Sequence, residues 1–246
     1  MPGVPAGRPR LLEAALNGGR PRSEHPRVPR TPQELAADAR ACVEAGARVL
    51  HLHAYDGERE ALAAEPSAAA LRAVRAACPG VPISLSTSAA IEPDPDRRLA
   101  LIAGWTELPE LVTANQGEEG IAPLCEHLIA RGVGIEAGLL SAADVEPFLR
   151  SGLAGRCVRV LLEPLDAEPE AALAHAAEIE ARLAAGGVAL EQVHHGDGVA
   201  SWSVSVRALA RGHAIRTGLE DTTLLPTGER AADNAELVRT AAALLG

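Results

Sequence analysis

The segment Val49-Leu50-His51-Leu52-His53-Ala54-Tyr55 is an apolar run of strand type that carries two histidines two positions apart. Successive side chains of a strand point to opposite faces, so His51 and His53 share one face while Leu50, Leu52 and Ala54 share the other. Two imidazoles on one rigid strand make half of a metal site, since imidazole nitrogen is a common protein ligand for divalent ions. The alternative is a buried pair that satisfies its own hydrogen bonds. Upstream, Thr31-Pro32-Gln33-Glu34 reads as a helix start, with Thr31 as N-cap, Pro32 in the first turn and Glu34 closing a capping box. That helix runs to about Gly46 and delivers the chain to the histidine strand.

The same helix-then-strand pattern recurs along the chain. Strands are expected over 11–16, 49–55, 81–86, 111–115, 133–139, 158–162, 190–194 and 214–219, separated or followed by helical stretches that end with 232–245. Strictly alternating strands and helices imply parallel pairing, and eight such units in about 250 residues predict a TIM (β/α)8 barrel, one domain over residues 1–246. A doubly wound open sheet is the alternative; it calls for a Gly-rich phosphate turn after the first strand, which Asn17-Gly18-Gly19-Arg20 matches poorly.

Composition narrows the function. A net charge of −10 argues against a nucleic-acid or anionic-membrane partner, and 2% aromatic residues leave no stacking platform for bases. No stretch approaches 18 or so uninterrupted apolar residues, which predicts a soluble, cytoplasmic protein with no membrane partner. Cys42, Cys78, Cys125 and Cys157 fit no ligand spacing and read as reduced packing thiols. All 23 basic residues are arginine, so any mechanism that needs a Schiff-base lysine is excluded, and carbanion chemistry here requires a metal or an oxyanion site.

In a TIM barrel the functional groups sit at the C-terminal strand ends. His51 and His53 end the second strand, Ser86-Thr87-Ser88 the third, and Thr113 and Asn115 the fourth; Glu136 lies in the fifth and Glu163 just past the sixth. His194-His195-Gly196-Asp197 end the seventh strand, and Arg216 with Glu220-Asp221 frames the eighth. Catalytic zinc takes three protein ligands and keeps an open position, so Glu220 is the expected third ligand beside His51 and His53. Asp221 then remains free to act as a base, and Arg216 shares Glu220's face and could clamp a substrate carboxylate. Capping of a helix after Thr222 is the other reading of Glu220-Asp221. An amidohydrolase barrel fits less well, because it carries its His-x-His after the first strand and further histidines on the fifth and sixth.

The run from Ala41 to His53, the Thr31-Pro32 helix start, Leu85-Ser86-Thr87, Pro109 to Asn115, and Ile215-Arg216-Thr217-Gly218-Leu219-Glu220-Asp221 with Asn234 downstream closely resemble the β-keto acid cleavage enzymes, of which 3-keto-5-aminohexanoate cleavage enzyme is the type. The resemblance implies a barrel that binds Zn2+ or a similar divalent ion through His51, His53 and Glu220, usually in a homotetramer. It implies that a β-keto acid and acetyl-CoA are converted to acetoacetate and a new acyl-CoA by a retro-Claisen route. On that resemblance Asp221 is the base, Arg216 orients it or holds charge on the substrate, Ser86 and Thr113 donate hydrogen bonds to the substrate carboxylate, with Ser86 also counted among the catalytic residues and Asn115 among the substrate-binding ones, and Glu136 corresponds to an acid/base carboxylate. Two departures stand out. Arg20 replaces a family carboxylate after Gly18-Gly19; turned into the pocket it would favour a substrate with an acidic tail, and its other expected place is in solvent. The family's Gly-rich loop after the sixth strand is here Leu162-Glu163-Pro164-Leu165-Asp166-Ala167-Glu168-Pro169, whose acids would repel CoA phosphates. A CoA-independent metal-dependent lyase or hydrolase acting on a keto acid is therefore the second expectation, and a barrel that binds a metal or small acid without catalysis the third.

Overall fold

The computed structural model describes residues 10–246. Strand β1 (Leu12–Ala15) leads through helix α1 (Pro32–Ala45) to β2 (Val49–Leu52), then to a short hairpin of β3 (Tyr55–Asp56) and β4 (Arg59–Glu60). There follow α2 (Ala64–Ala77), β5 (Ile83–Ser86), α3 (Pro95–Ala103), β6 (Leu111–Asn115), α4 (Ile121–Ala130), β7 (Gly134–Leu139) and α5 (Ala142–Arg150). The chain continues with β8 (Arg159–Leu162), α6 (Pro169–Ala185), β9 (Glu191–His194), α7 (Ser201–Ala210), β10 (Ala214–Thr217) and α8 (Asn234–Leu245). The eight long strands close in the order β1-β10-β9-β8-β7-β6-β5-β2, every pair parallel, which is a TIM barrel.

Local chemistry starts the helices where the sequence indicates. Thr31 accepts from the Glu34 backbone while the Glu34 carboxylate accepts from the Thr31 N–H, the reciprocal capping box. Asp94 caps α3 and Asp233 caps α8 in the same manner, each accepting a hydrogen bond from a backbone N–H three residues on. The outward faces of the strands pack on the helices: Leu50, Leu52, Leu85, Val112, Ile135 and Val160 join Leu35, Leu71, Val74, Leu124, Phe148 and Leu237 in one buried cluster. A smaller apolar group, Leu161, Val193 and Ala214 with Leu11, also packs together. The four cysteines are buried and unpaired, and no described helix is long and apolar enough to cross a membrane.

Two local expectations are corrected. The histidine strand stops at Leu52, and Tyr55 instead enters the hairpin, whose turn contains Gly57 at φ +60°. No helix follows Thr222; residues 218–233 form a loop carrying one antiparallel bridge, Leu224 to Arg230, and α8 begins only at Asn234. Glu220 and Asp221 are thus released from any helix-capping role.

Candidate metal centre and active site

Barrel closure brings β2 and β10 to either side of β1, with Glu13 opposite both Val49 and Arg216 and Ala15 opposite His51. His51 Nε2 and His53 Nε2 each lie 3.6 Å from Glu220 Oε1, and ligand atoms of the three residues fall within 4.8 Å of one another. Glu220 Oε2 is buried without a hydrogen-bond partner. Two imidazole nitrogens and a carboxylate converging on one point, with an oxygen left unsatisfied, fit a divalent ion of the zinc type. The turn after β1 is shaped to this cluster: Gly18 has φ +53°, and a Cβ there would stand 2.4 Å from Glu220 Cγ.

Electrostatics treat the two imidazoles differently. Burial pushes the His51 pKa down to about 3, leaving a neutral ring with a lone pair to give. Burial also works against a charged His53, but the Glu220 and Glu60 carboxylates outweigh it and lift that imidazole to about 9. Glu220 is buried as well, yet Arg216, His51 and His53 hold its carboxyl well below the usual range.

Asp221 stands beside this cluster, 3% exposed, and is gripped by Arg216 through Nη2–Oδ1 at 2.7 Å and Nε–Oδ2 at 3.3 Å. The same Nη2 donates to Glu220 Oε1 at 2.8 Å. Nε and Nη2 are therefore engaged by the two carboxylates, so a clamp on a substrate carboxylate would fall to Nη1. Burial raises the Asp221 pKa, but Arg216 and the hydrogen-bonding contact with His195 lower it by more, so the carboxyl is kept ionised.

Of the other expected residues, Thr113 Oγ1 meets His51 Nδ1 at 3.2 Å and Ser84 Oγ at 3.3 Å. Glu136 is fully buried, bound to the Ser84 hydroxyl and 3.5 Å from Arg159 Nε. Ser86, on the face of β5 that carries Ser84, accepts from the Ser88 N–H, and Asn115 donates to Glu118 Oε1 at 3.0 Å; neither is bonded to the histidine–glutamate cluster. Arg20 lies neither in solvent nor across the pocket. Its side chain, 16% exposed, donates to the Leu219 and Glu220 carbonyls and pairs with Glu24, bracing the backbone that carries Glu220.

A sequence model described as beta-keto acid cleavage enzyme matches residues 9–150 and 157–246. The chain belongs to the β-keto acid cleavage enzyme family. One relative in it, the 3-keto-5-aminohexanoate cleavage enzyme of Acetoanaerobium sticklandii, is 30% identical over 123 residues, 48% of this chain and only 45% of the relative's length. The protein of the same name from Fusobacterium nucleatum is 26% identical over 246 residues, 93% of this chain and 88% of its own. Among solved structures, a ternary complex of ObcA with C4-CoA adduct and oxalate superposes with a TM-score of 0.70 at 18% identity over 89% of this chain and 64% of the longer ObcA chain. At that identity the likeness is one of fold.

This β-keto acid cleavage family member also carries residues near the cluster that sequence reasoning did not assign to the site. Glu13 and Arg159 are buried polar groups on short strands, where a barrel strand is otherwise read as apolar. Their signal was the two-residue period, which places Glu13 in step with Ala15 and Arg159 with Leu161. His194 and His195 must point to opposite faces. His194 stacks on His213 at 4.7 Å between ring centroids, while the fully buried His195 lies between Asp221 (Nδ1–Oδ1, 3.4 Å) and Glu163 (Nε2–Oε2, 3.5 Å). The loop after β8 thus sends Glu163 toward the site, and Asp166 fixes that loop by accepting from His175 Nδ1 at 2.8 Å.

Proposed function

We propose that this chain is a metal-dependent β-keto acid cleavage enzyme, a cytoplasmic acyltransferase that converts a β-keto acid and acetyl-CoA into acetoacetate and a new acyl-CoA. The observation that carries the reading is the meeting of His51, His53 and Glu220 within 4.8 Å, beside an Asp221 carboxylate held ionised by Arg216. His51, His53 and Glu220 would hold zinc or another divalent ion, which supplies Lewis acidity to the keto and carboxylate oxygens of a β-keto acid.

The chain's own groups do the rest. Asp221 removes the proton from the carbon between the two carbonyls, since its carboxylate has no backbone role and Arg216 keeps it both charged and oriented. His195 borders Asp221 opposite a second carboxylate, Glu163. Ser86 and Asn115 contact the substrate at the mouth, Thr113 does so beside His51, and Glu136 supports acid/base work from below. By the resemblance to its family the protein acts as a homotetramer, each subunit one barrel.

The acidic loop after β8 favours a second reading, a lyase or hydrolase on the same site that does without CoA. A panel of β-keto acids incubated with metal-loaded protein, with and without acetyl-CoA, separates the two. Acetoacetate formed only in the presence of acetyl-CoA is the expected result. Equal loss of keto acid without CoA would establish the second reading, and no turnover at all by metal-loaded protein would overturn both.

A further inference from the structure

His51 and His53 are held from behind by different means. His51 Nδ1 faces two hydroxyls, Thr113 Oγ1 at 3.2 Å and Ser84 Oγ at 3.4 Å. His53 Nδ1 instead meets a carboxylate, Glu60 Oε1, delivered by the β3–β4 hairpin that follows β2. The hairpin is anchored to the same turn that contacts Glu220. Tyr55, paired with Glu60, donates its hydroxyl to the Gly18 carbonyl at 2.6 Å, and the Arg30 guanidinium lies 4.0 Å over its ring. Gly19 leaves the room that Glu60 needs, since a Cβ there would stand 3.1 Å from Glu60 Oε2.

The chemistry of such a contact is directional. A ring that donates Nδ1–H to a carboxylate keeps its lone pair on Nε2, and the shared charge makes that nitrogen a stronger donor to a cation. His53 Nε2 is the atom 3.6 Å from Glu220 Oε1. We propose that Glu60 is the positioning residue of the metal centre: through its hydrogen bond to His53 Nδ1 it selects the Nε2 tautomer, fixes the ring plane, and sets the affinity for the ion. The two-residue pairing of β3 with β4 carries that carboxylate to His53. This inference rests on the reading of His51, His53 and Glu220 as metal ligands.

The test is zinc affinity of the metal-stripped full chain, measured by competition with a chromophoric chelator for wild type, Glu60→Gln, Glu60→Ala and His53→Ala. Nitrogen-15 shifts of the His53 ring in the metal-free protein, recorded above pH 9 where the imidazole is neutral, report its tautomer. Glu60→Ala is expected to weaken zinc binding by about 10- to 100-fold and to release the tautomer preference. Glu60→Gln keeps an acceptor without the charge, so it should retain the Nδ1–H form and fall between the two; it also carries the test if the alanine variant does not fold. Wild-type affinity in both Glu60 variants would overturn the role of Glu60 alone. No zinc bound by the wild type, or undiminished binding by His53→Ala, would instead overturn the metal reading beneath it.

Discussion

Arg216 holds Asp221 by both carboxylate oxygens while touching Glu220 with the same Nη2, so one cation joins the candidate base to the candidate metal ligand. Burial would otherwise drive both acids toward their neutral forms; the guanidinium, fully ionised in their company, prevents it. Asp221→Asn should therefore cost about 10²- to 10⁴-fold in kcat with metal content unchanged, checked by steady-state kinetics beside atomic emission. Undiminished turnover would remove Asp221 from the role of catalytic base.

Gly18 is the turn position most tightly bound to the site. Gly18→Ala introduces both a left-handed backbone penalty of about 1 kcal/mol and a Cβ directed at Glu220 Cγ. The expected outcome is a lower Tm together with weaker metal binding, because Glu220 has to swing aside. A lower Tm with metal affinity intact would show that Glu220 is not a ligand.

Asn234 joins the ends of β1 and β10. Its Oδ1 accepts from Leu219 N–H at 2.6 Å, and its Nδ2 donates to the Leu16 carbonyl at 2.7 Å and to Asp38 Oδ2 at 2.6 Å. Asn234→Ala leaves two buried backbone groups without partners and should destabilise the fold by about 2–4 kcal/mol, read from urea unfolding. Its effect on activity follows from slack in the segment that carries Glu220 and Asp221.

Asp38 makes stability depend on pH. Burial pushes its carboxyl up to about 7, Asp233 adds to the rise, and the Asn234 amide and Arg27 oppose it. The folded chain keeps this proton until pH is near 7, whereas the unfolded chain releases it near 3.8. The native state therefore binds more protons in that window, and stability falls as pH rises through it. The loss is on the order of 1–3 kcal/mol, given partial solvent access. Asp38→Asn should remove that slope and be more stable than wild type above pH 7, measured by thermal melts across the range; an unchanged slope would assign it to other groups.

What the sequence determined by itself is what chain-local physics controls. The parity of His51 and His53 on one face follows from the two-residue strand period, the start of α1 from the Thr31–Glu34 capping box, and the parallel barrel from strict alternation of strand and helix. The pairing of both histidines with Glu220 was legible because closing such a barrel returns its last strand to its first. Only the tertiary structure decided the partners: that Arg216 bonds Asp221 and Glu220, that Arg20 braces the Glu220 backbone, that His195 lies between Asp221 and Glu163, and that Glu60 backs His53. These are contacts between side chains from separate strands, loops and the hairpin. Their geometry is set by strand register, barrel stagger and loop path, and a long polar side chain selects among several reachable partners only once all of these are in place.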